Sequence, residues 1–126
     1  EAVASGHVEI GNHTYNMHSN SSGRKGCMKK KGESVEEYQK NLTEDLKKNQ
    51  DLIKEHCGFY PVVFTYPFGS ISNASEDVVK DLGFKASMGC YEHINYITKD
   101  PERLYQLHRF NRPSGVSTEK FMKKIL

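Results

Sequence analysis

Val62-Val63-Phe64-Thr65-Tyr66-Pro67-Phe68-Gly69 is the stretch that decides the fold. Five β-branched or aromatic residues in succession read as a strand. An almost unbroken apolar run of this kind reads as one covered on both faces, as in a parallel sheet between helices. Pro67 offers no N–H to a ladder and Gly69 follows two residues on, so the strand ends in a turn.

The elements on either side fit that reading. Upstream, Ser34 with Glu37 three residues on is a capping box. Val35, Tyr38, Leu42, Leu46 and Ile53 recur at helical spacing, and Gly58 supplies a left-handed stop. The pattern predicts a long amphipathic helix over residues 35–56. Downstream, Asn73 as cap, Glu76 three on and Gly83 as stop predict a second helix over 74–82. Strands follow over 84–90 and 104–110, and Ser117 caps a short last helix with Phe121, Met122 and Ile125 inward. Before all of these, Val8-Glu9-Ile10 reads as an opening strand, and residues 1–6 as a helix tail closed by Gly6. The order is strand, helix, strand, helix, strand, strand, helix. It implies an α/β fold with a parallel sheet and right-handed crossovers, open or part of a barrel.

In both architectures ligands gather at the C-terminal strand ends. The chemistry-bearing residues fall there: His13 and His18 after the first strand, Pro67-Phe68-Gly69 after the second, and His108 to Arg112 after the fourth. His13 and His18 are five apart. On one strand an odd spacing puts two rings on opposite faces. On one helix five steps of about 100° leave them roughly 140° apart. They converge only if the chain leaves the strand near His13 and turns before His18. Neutral imidazole is the commonest side-chain ligand for a transition metal, so a converging pair is part of a metal site. Two solvated histidines on a surface loop are the plain alternative.

At 126 residues the chain is at most one domain, or part of one. A net charge of +2 argues against a nucleic-acid partner, because the Lys29-Lys30-Lys31 run is followed at once by acidic residues. No stretch approaches the ~20 apolar residues of a membrane span. Cys27, Cys57 and Cys90 are scattered with no Cys-x-x-Cys pair, so free thiols are expected. Asn12, Asn20, Asn41 and Asn73 each begin an Asn-x-Ser/Thr triplet.

Gly6-His7-Val8-Glu9-Ile10-Gly11-Asn12-His13-Thr14 resembles the Gly-His-Glu-Ile-Gly-Asn-His-Thr signature of polysaccharide deacetylases, the NodB-homology or carbohydrate esterase family 4 group. Val8 is one residue extra. The usual form His-Thr/Ser-x-x-His is lengthened here by one, as in a branch similar to the poly-N-acetylglucosamine deacetylases. Tyr66-Pro67-Phe68-Gly69 is similar to the family's Arg-x-Pro-Tyr-Gly motif, with Thr65 where the Arg would stand. Leu107 to Arg112 falls where its last, Leu-x-His-type motif would lie.

The resemblance implies a partial (β/α) barrel-like deacetylase domain over residues 1–126, its C-terminal greater part. The first βα units are absent, and with them an Asp-Asp motif that would lie upstream of residue 1. It also implies hydrolysis of N-acetyl, or less readily O-acetyl, groups on a cell-wall or matrix polysaccharide, at the cell surface or outside the cell. His13 and His18 would hold a divalent metal, zinc first and cobalt or nickel after it, with the third protein ligand not in this chain. The backbone N–H of Phe68 would face the developing oxyanion, and His108 would protonate the leaving amine. Tyr15, Tyr66 and Phe68 would offer aromatic faces to a sugar, with core packing preferred for Tyr66. Arg109 and Arg112 would contact the sugar or a carboxylate. Without the aspartates the isolated chain is expected to be inactive, and its bare sheet edge to favour self-association. The rival reading is a non-catalytic carbohydrate- or partner-binding module on the same fold.

Overall fold

The computed structural model describes residues 2–21 and 23–126. Helix α1 (Val35–Cys57) begins as expected: the Ser34 hydroxyl accepts from Glu37 N–H at 3.0 Å, and Glu36 and Glu37 in the first turn suit the positive helix end. Gly58, with φ 86°, closes it. The buried stripe is Tyr38, Leu42, Leu46 and Gln50, four residues apart throughout. Val35 is half-exposed, so the packing face begins one turn later than the periodicity suggests.

Strand β1 (Val63–Thr65) is shorter than the apolar run that contains it. Helix α2 (Ser75–Asp81) starts one residue late, and no side chain caps it. Asn73 is therefore not its cap. Ser72 turns the chain instead, its carbonyl accepting both the backbone N–H of Ser75 at 2.9 Å and the Ser75 hydroxyl at 2.5 Å. Strand β2 (Ala86–Met88) pairs parallel to β1 with Phe64 opposite Ser87. Helix α3 (Thr118–Ile125) has Ser117 as its cap, accepting from Lys120 N–H. Phe121 and Ile125 are half-buried, but Met122 is exposed.

Two expected strands are reduced to single bridges. Val8 to Ile10 forms no strand. The chain joins the sheet only at Asn12, whose N–H donates to Val63 O and whose carbonyl accepts from Thr65 N–H. The 104–110 strand is interrupted from within. A 3-10 turn spans Pro101–Leu104, Gln106 has φ 60°, and only Leu107 bridges Met88. A left-handed residue cannot continue a pleated ladder. The N-terminal helix tail is a short 3-10 turn over Val3–Ser5, closed by Gly6. Four segments thus lie side by side and parallel in chain order: Asn12, β1, β2 and Leu107.

One face of this sheet carries the core. Phe64, Tyr66 and Phe84 pack with Val78, Val79, Cys27 and the α1 stripe. Phe64 meets Tyr66 edge-on, ring centres 4.7 Å apart. Burying aromatic and aliphatic side chains of this size stabilises by about 1.5–3 kcal/mol each. Burial pushes the Tyr66 hydroxyl up to about 12, and it stays protonated as donor to Ser75 Oγ at 3.0 Å. The opposite face is half-open, since Val63 and Thr65 are only partly buried. The expectation of a strand covered on both faces is met on one.

Candidate metal centre

The chain leaves the sheet at Asn12, which is fully buried. Its side chain is held at both amide atoms: Nδ2 donates to Leu46 O at 3.0 Å, and Oδ1 accepts from Thr14 N–H and from Asn49 Nδ2, both at 2.9 Å. Thr14 takes φ 73°, the left-handed step that turns the backbone, and its hydroxyl accepts from Met17 N–H. Between them, Asp45 on α1 accepts from Tyr15 N–H through one carboxylate oxygen and from Asn16 N–H through the other, each at 2.8 Å. The turn required by the spacing is therefore built.

Its result is convergence. The rings of His13 and His18 lie 4.9 Å apart, centre to centre, and His18 lies 4.5 Å from the ring of Phe68. His13 Nδ1 sits 2.7 Å from the carbonyl oxygen of Thr65. A carbonyl only accepts, so Nδ1 carries the proton, and the neutral ring keeps its lone pair on Nε2. Metal-binding histidines ordinarily tie their other ring N–H to a carbonyl or carboxylate in this way. Two imidazoles on one tetrahedral ion, with metal–nitrogen distances of about 2.0–2.1 Å, have ring centres about 5 Å apart. The observed separation fits, and so does the donor set. Among the described residues no group of three His, Cys, Asp or Glu lies together. Glu92 is engaged elsewhere: it pairs with Lys124 and accepts from Asn111 N–H, which holds its carboxyl below the usual range.

The turn after β1 closes against the histidines. Phe68 has φ 58°, unusual for a side-chain-bearing residue, and among the described residues its N–H donates to no backbone carbonyl. The turn is wedged between two close approaches. A Cβ on Gly26, at φ 57°, would lie 2.7 Å from Pro67 O, and one on Gly69 would lie 2.7 Å from Cys90 N. Glycine is required at both places.

His108 is not brought to this cluster. It stands on the fourth segment, two strands away from Asn12, with its ring 5.5 Å from His93. Asn95 holds it there, accepting from His108 N–H at 2.8 Å and donating to His108 O at 2.9 Å. Tyr15 and Phe68 are exposed, whereas Tyr66 belongs to the core. Arg109 is occupied by Gly89 O and Cys90 Sγ, and Arg112 by Thr118 Oγ1. Asp45 is the loop-holding residue the sequence concealed. Charged residues on an amphipathic helix ordinarily face water, and its partners are some thirty positions away.

The profile of the polysaccharide deacetylase family matches residues 1–87, a span that holds His13, His18 and Phe68 but not His108. No curated protein matches the chain by sequence. Among solved structures the chain is similar to a de-N-acetylase from Aggregatibacter actinomycetemcomitans, at 20% identity and TM-score 0.77, over 98% of this chain and 50% of that one. IcaB from Ammonifex degensii matches at 22% identity and TM-score 0.72, over 96% and 47%. The BpsB deacetylase domain from Bordetella bronchiseptica matches at 23% and 0.70, over 85% and 44%. These likenesses identify the fold as a partial (β/α) barrel-like deacetylase domain, and the chain spans about half the length of the structures it matches. With the family profile matched over more than half of its length, the chain belongs to the polysaccharide deacetylase family.

Proposed function

We propose that the domain to which this chain belongs removes N-acetyl groups from an acetylated polysaccharide at the cell surface or outside the cell, with His13 and His18 as two ligands of a divalent metal, zinc in the first place. The observation that carries the reading is the 2.7 Å contact of His13 Nδ1 with Thr65 O, which leaves Nε2 of a ring 4.9 Å from its partner as the free donor. When bound, such an ion polarises the acetyl carbonyl and acidifies the attacking water. The Thr65 carbonyl keeps His13 in one tautomer and one orientation. The Phe68 N–H donates to the carbonyl oxygen as negative charge builds on it, and the Gly26 and Gly69 approaches hold that amide still. His108, held by Asn95 on the fourth segment, stands apart from that chemistry. Among the described residues no third protein ligand and no carboxylate to take the water's proton stands with the pair, and the chain by itself is proposed to be inactive.

Cobalt(II) titration followed by visible absorption tests the metal reading. One equivalent is expected to bind with tetrahedral-type bands, lost in His13→Ala and His18→Ala and kept in His93→Ala. Equal behaviour of all four proteins would overturn it and leave the carbohydrate-binding module. His108→Ala, away from the pair, is expected to leave cobalt affinity unchanged.

A further inference from the structure

We infer that Asp45, in the middle of α1, is the positioning residue of the His13–His18 loop and sets how tightly that pair holds its metal. The inference rests on the metal reading above and extends it to a residue outside the motifs.

The backbone poses the problem. Five residues must leave a sheet, reverse, and deliver a second imidazole beside the first. Thr14 makes the reversal in the left-handed region, which is unfavourable for a residue with a side chain. The next two amides, Tyr15 and Asn16, then point the same way. Successive N–H groups aimed together form an anion-binding concavity. Asp45 fills it with one oxygen on each amide at 2.8 Å, a two-point charge-assisted contact. Only a carboxylate offers two acceptors in that geometry, because an amide would turn its NH2 group towards one of the donors.

The rest of the same helical turn receives the same loop. Leu46 O and Asn49 Nδ2 bind the Asn12 side chain, and Lys48 Nζ stands 4.0 Å from the Tyr15 ring centre. Residues 45, 46, 48 and 49 therefore form one seat for residues 12–16. His13 has its own tether in Thr65. Among the described residues His18 has none of that kind: before it stands the 3.2 Å bond from Met17 N–H to Thr14 Oγ1, and beside it the Phe68 ring. Its place next to His13 depends on the shape of residues 14–17, which Asp45 fixes. Removing outer-sphere partners of metal ligands typically costs 10–100-fold in metal affinity.

The test compares wild type with Asp45→Asn, Asp45→Glu and the wet-face control Lys47→Ala, by cobalt(II) titration and by NMR of the metal-free protein. Asp45→Asn is expected to bind cobalt 10–100-fold more weakly, with unchanged far-UV circular dichroism. In its metal-free state the Tyr15 and Asn16 amides should exchange at least tenfold faster, and the His18–Phe68 ring cross-peaks should be lost. Asp45→Glu keeps the charge one methylene out of place, and is expected to fall between the two. Lys47→Ala should match wild type. If wild type binds no cobalt while the cross-peaks still vanish in Asp45→Asn, the positioning role stands and the metal reading falls. Cobalt affinity within twofold of wild type in Asp45→Asn, with the cross-peaks intact, would overturn the inference. So would a loss of binding no larger than the loss of folded protein. Should Asp45→Asn fail to fold, the same limits apply to Asp45→Glu.

Discussion

Thr65 accepts the Nδ1 proton of His13 at 2.7 Å, so one strand end sets the chemical form of a side chain on the neighbouring segment. A neutral His13 is then expected as the Nδ1–H tautomer alone. Long-range nitrogen–proton correlation should show a protonated Nδ1 and a pyridine-like Nε2, and zinc should shift only the Nε2 signal. A Nε2–H ring would break the assignment.

Catalysis by the chain on its own is expected to be absent. Among the described residues no carboxylate joins the histidines in a group of three, and a base is needed to take the water's proton. Acetate release from an acetylated chitooligosaccharide, with zinc present, should not exceed that of His13→Ala. Turnover clearly above that control would show that the chain carries a base of its own.

Gly26→Ala is expected to destabilise the protein far more than Gly32→Ala. Both positions have positive φ, so each loses about 1–2 kcal/mol when a Cβ is added. At Gly32 nothing lies within 4 Å of that Cβ, whereas at Gly26 it meets Pro67 O at 2.7 Å. Gly26→Ala should therefore exceed the backbone cost and also weaken cobalt binding, because the Pro67–Gly69 turn must shift. Equal thermal melts would refute the close approach.

Glu33 supplies a pH dependence. Burial pushes its carboxyl up, but hydrogen bonds from Lys30 N–H, Arg24 and Asn41 outweigh that and hold it below the usual carboxylate range. A group depressed in the folded state contributes stability above its unfolded value, near 4.3. That stability is lost as pH falls through the folded value. Glu33→Gln is expected to cost about 1.5–3 kcal/mol near pH 7. The gap to wild type should narrow below about pH 4.3. Thermal melts between pH 3 and 7 check this, and a gap independent of pH would contradict it.

What the sequence disclosed was local. The Ser34 cap, the Tyr38–Leu42–Leu46 stripe, the Gly58 stop and the end of β1 at Pro67 each follow from a few neighbouring residues. The need for a turn between His13 and His18 was legible from spacing alone. The means of making it was not, because Asp45 reaches residues 29 and 30 positions away. Strand extent failed for a related reason. Val8 to Ile10 alternates like a strand but pairs only from Asn12 onward, and Gln106 turns left-handed where Ser87 Oγ and Glu76 take its N–H and side chain. Ladders are settled by neighbours in space, which local patterns do not name. Asn73 lost its cap role to Ser72, whose carbonyl already holds Ser75.

The burial of Asn12 also bears on modification. Asn12-His13-Thr14 reads as a glycan acceptor, like the triplets at Asn20, Asn41 and Asn73. Its Nδ2, the atom a glycan would take, has no exposure and is given to Leu46 O. A sugar attached there would have to be added before folding, and would then keep the loop from seating on α1. In any secretory pathway that glycosylates asparagine, the first triplet must fold faster than it is modified, whereas Asn73 stays open to the enzyme.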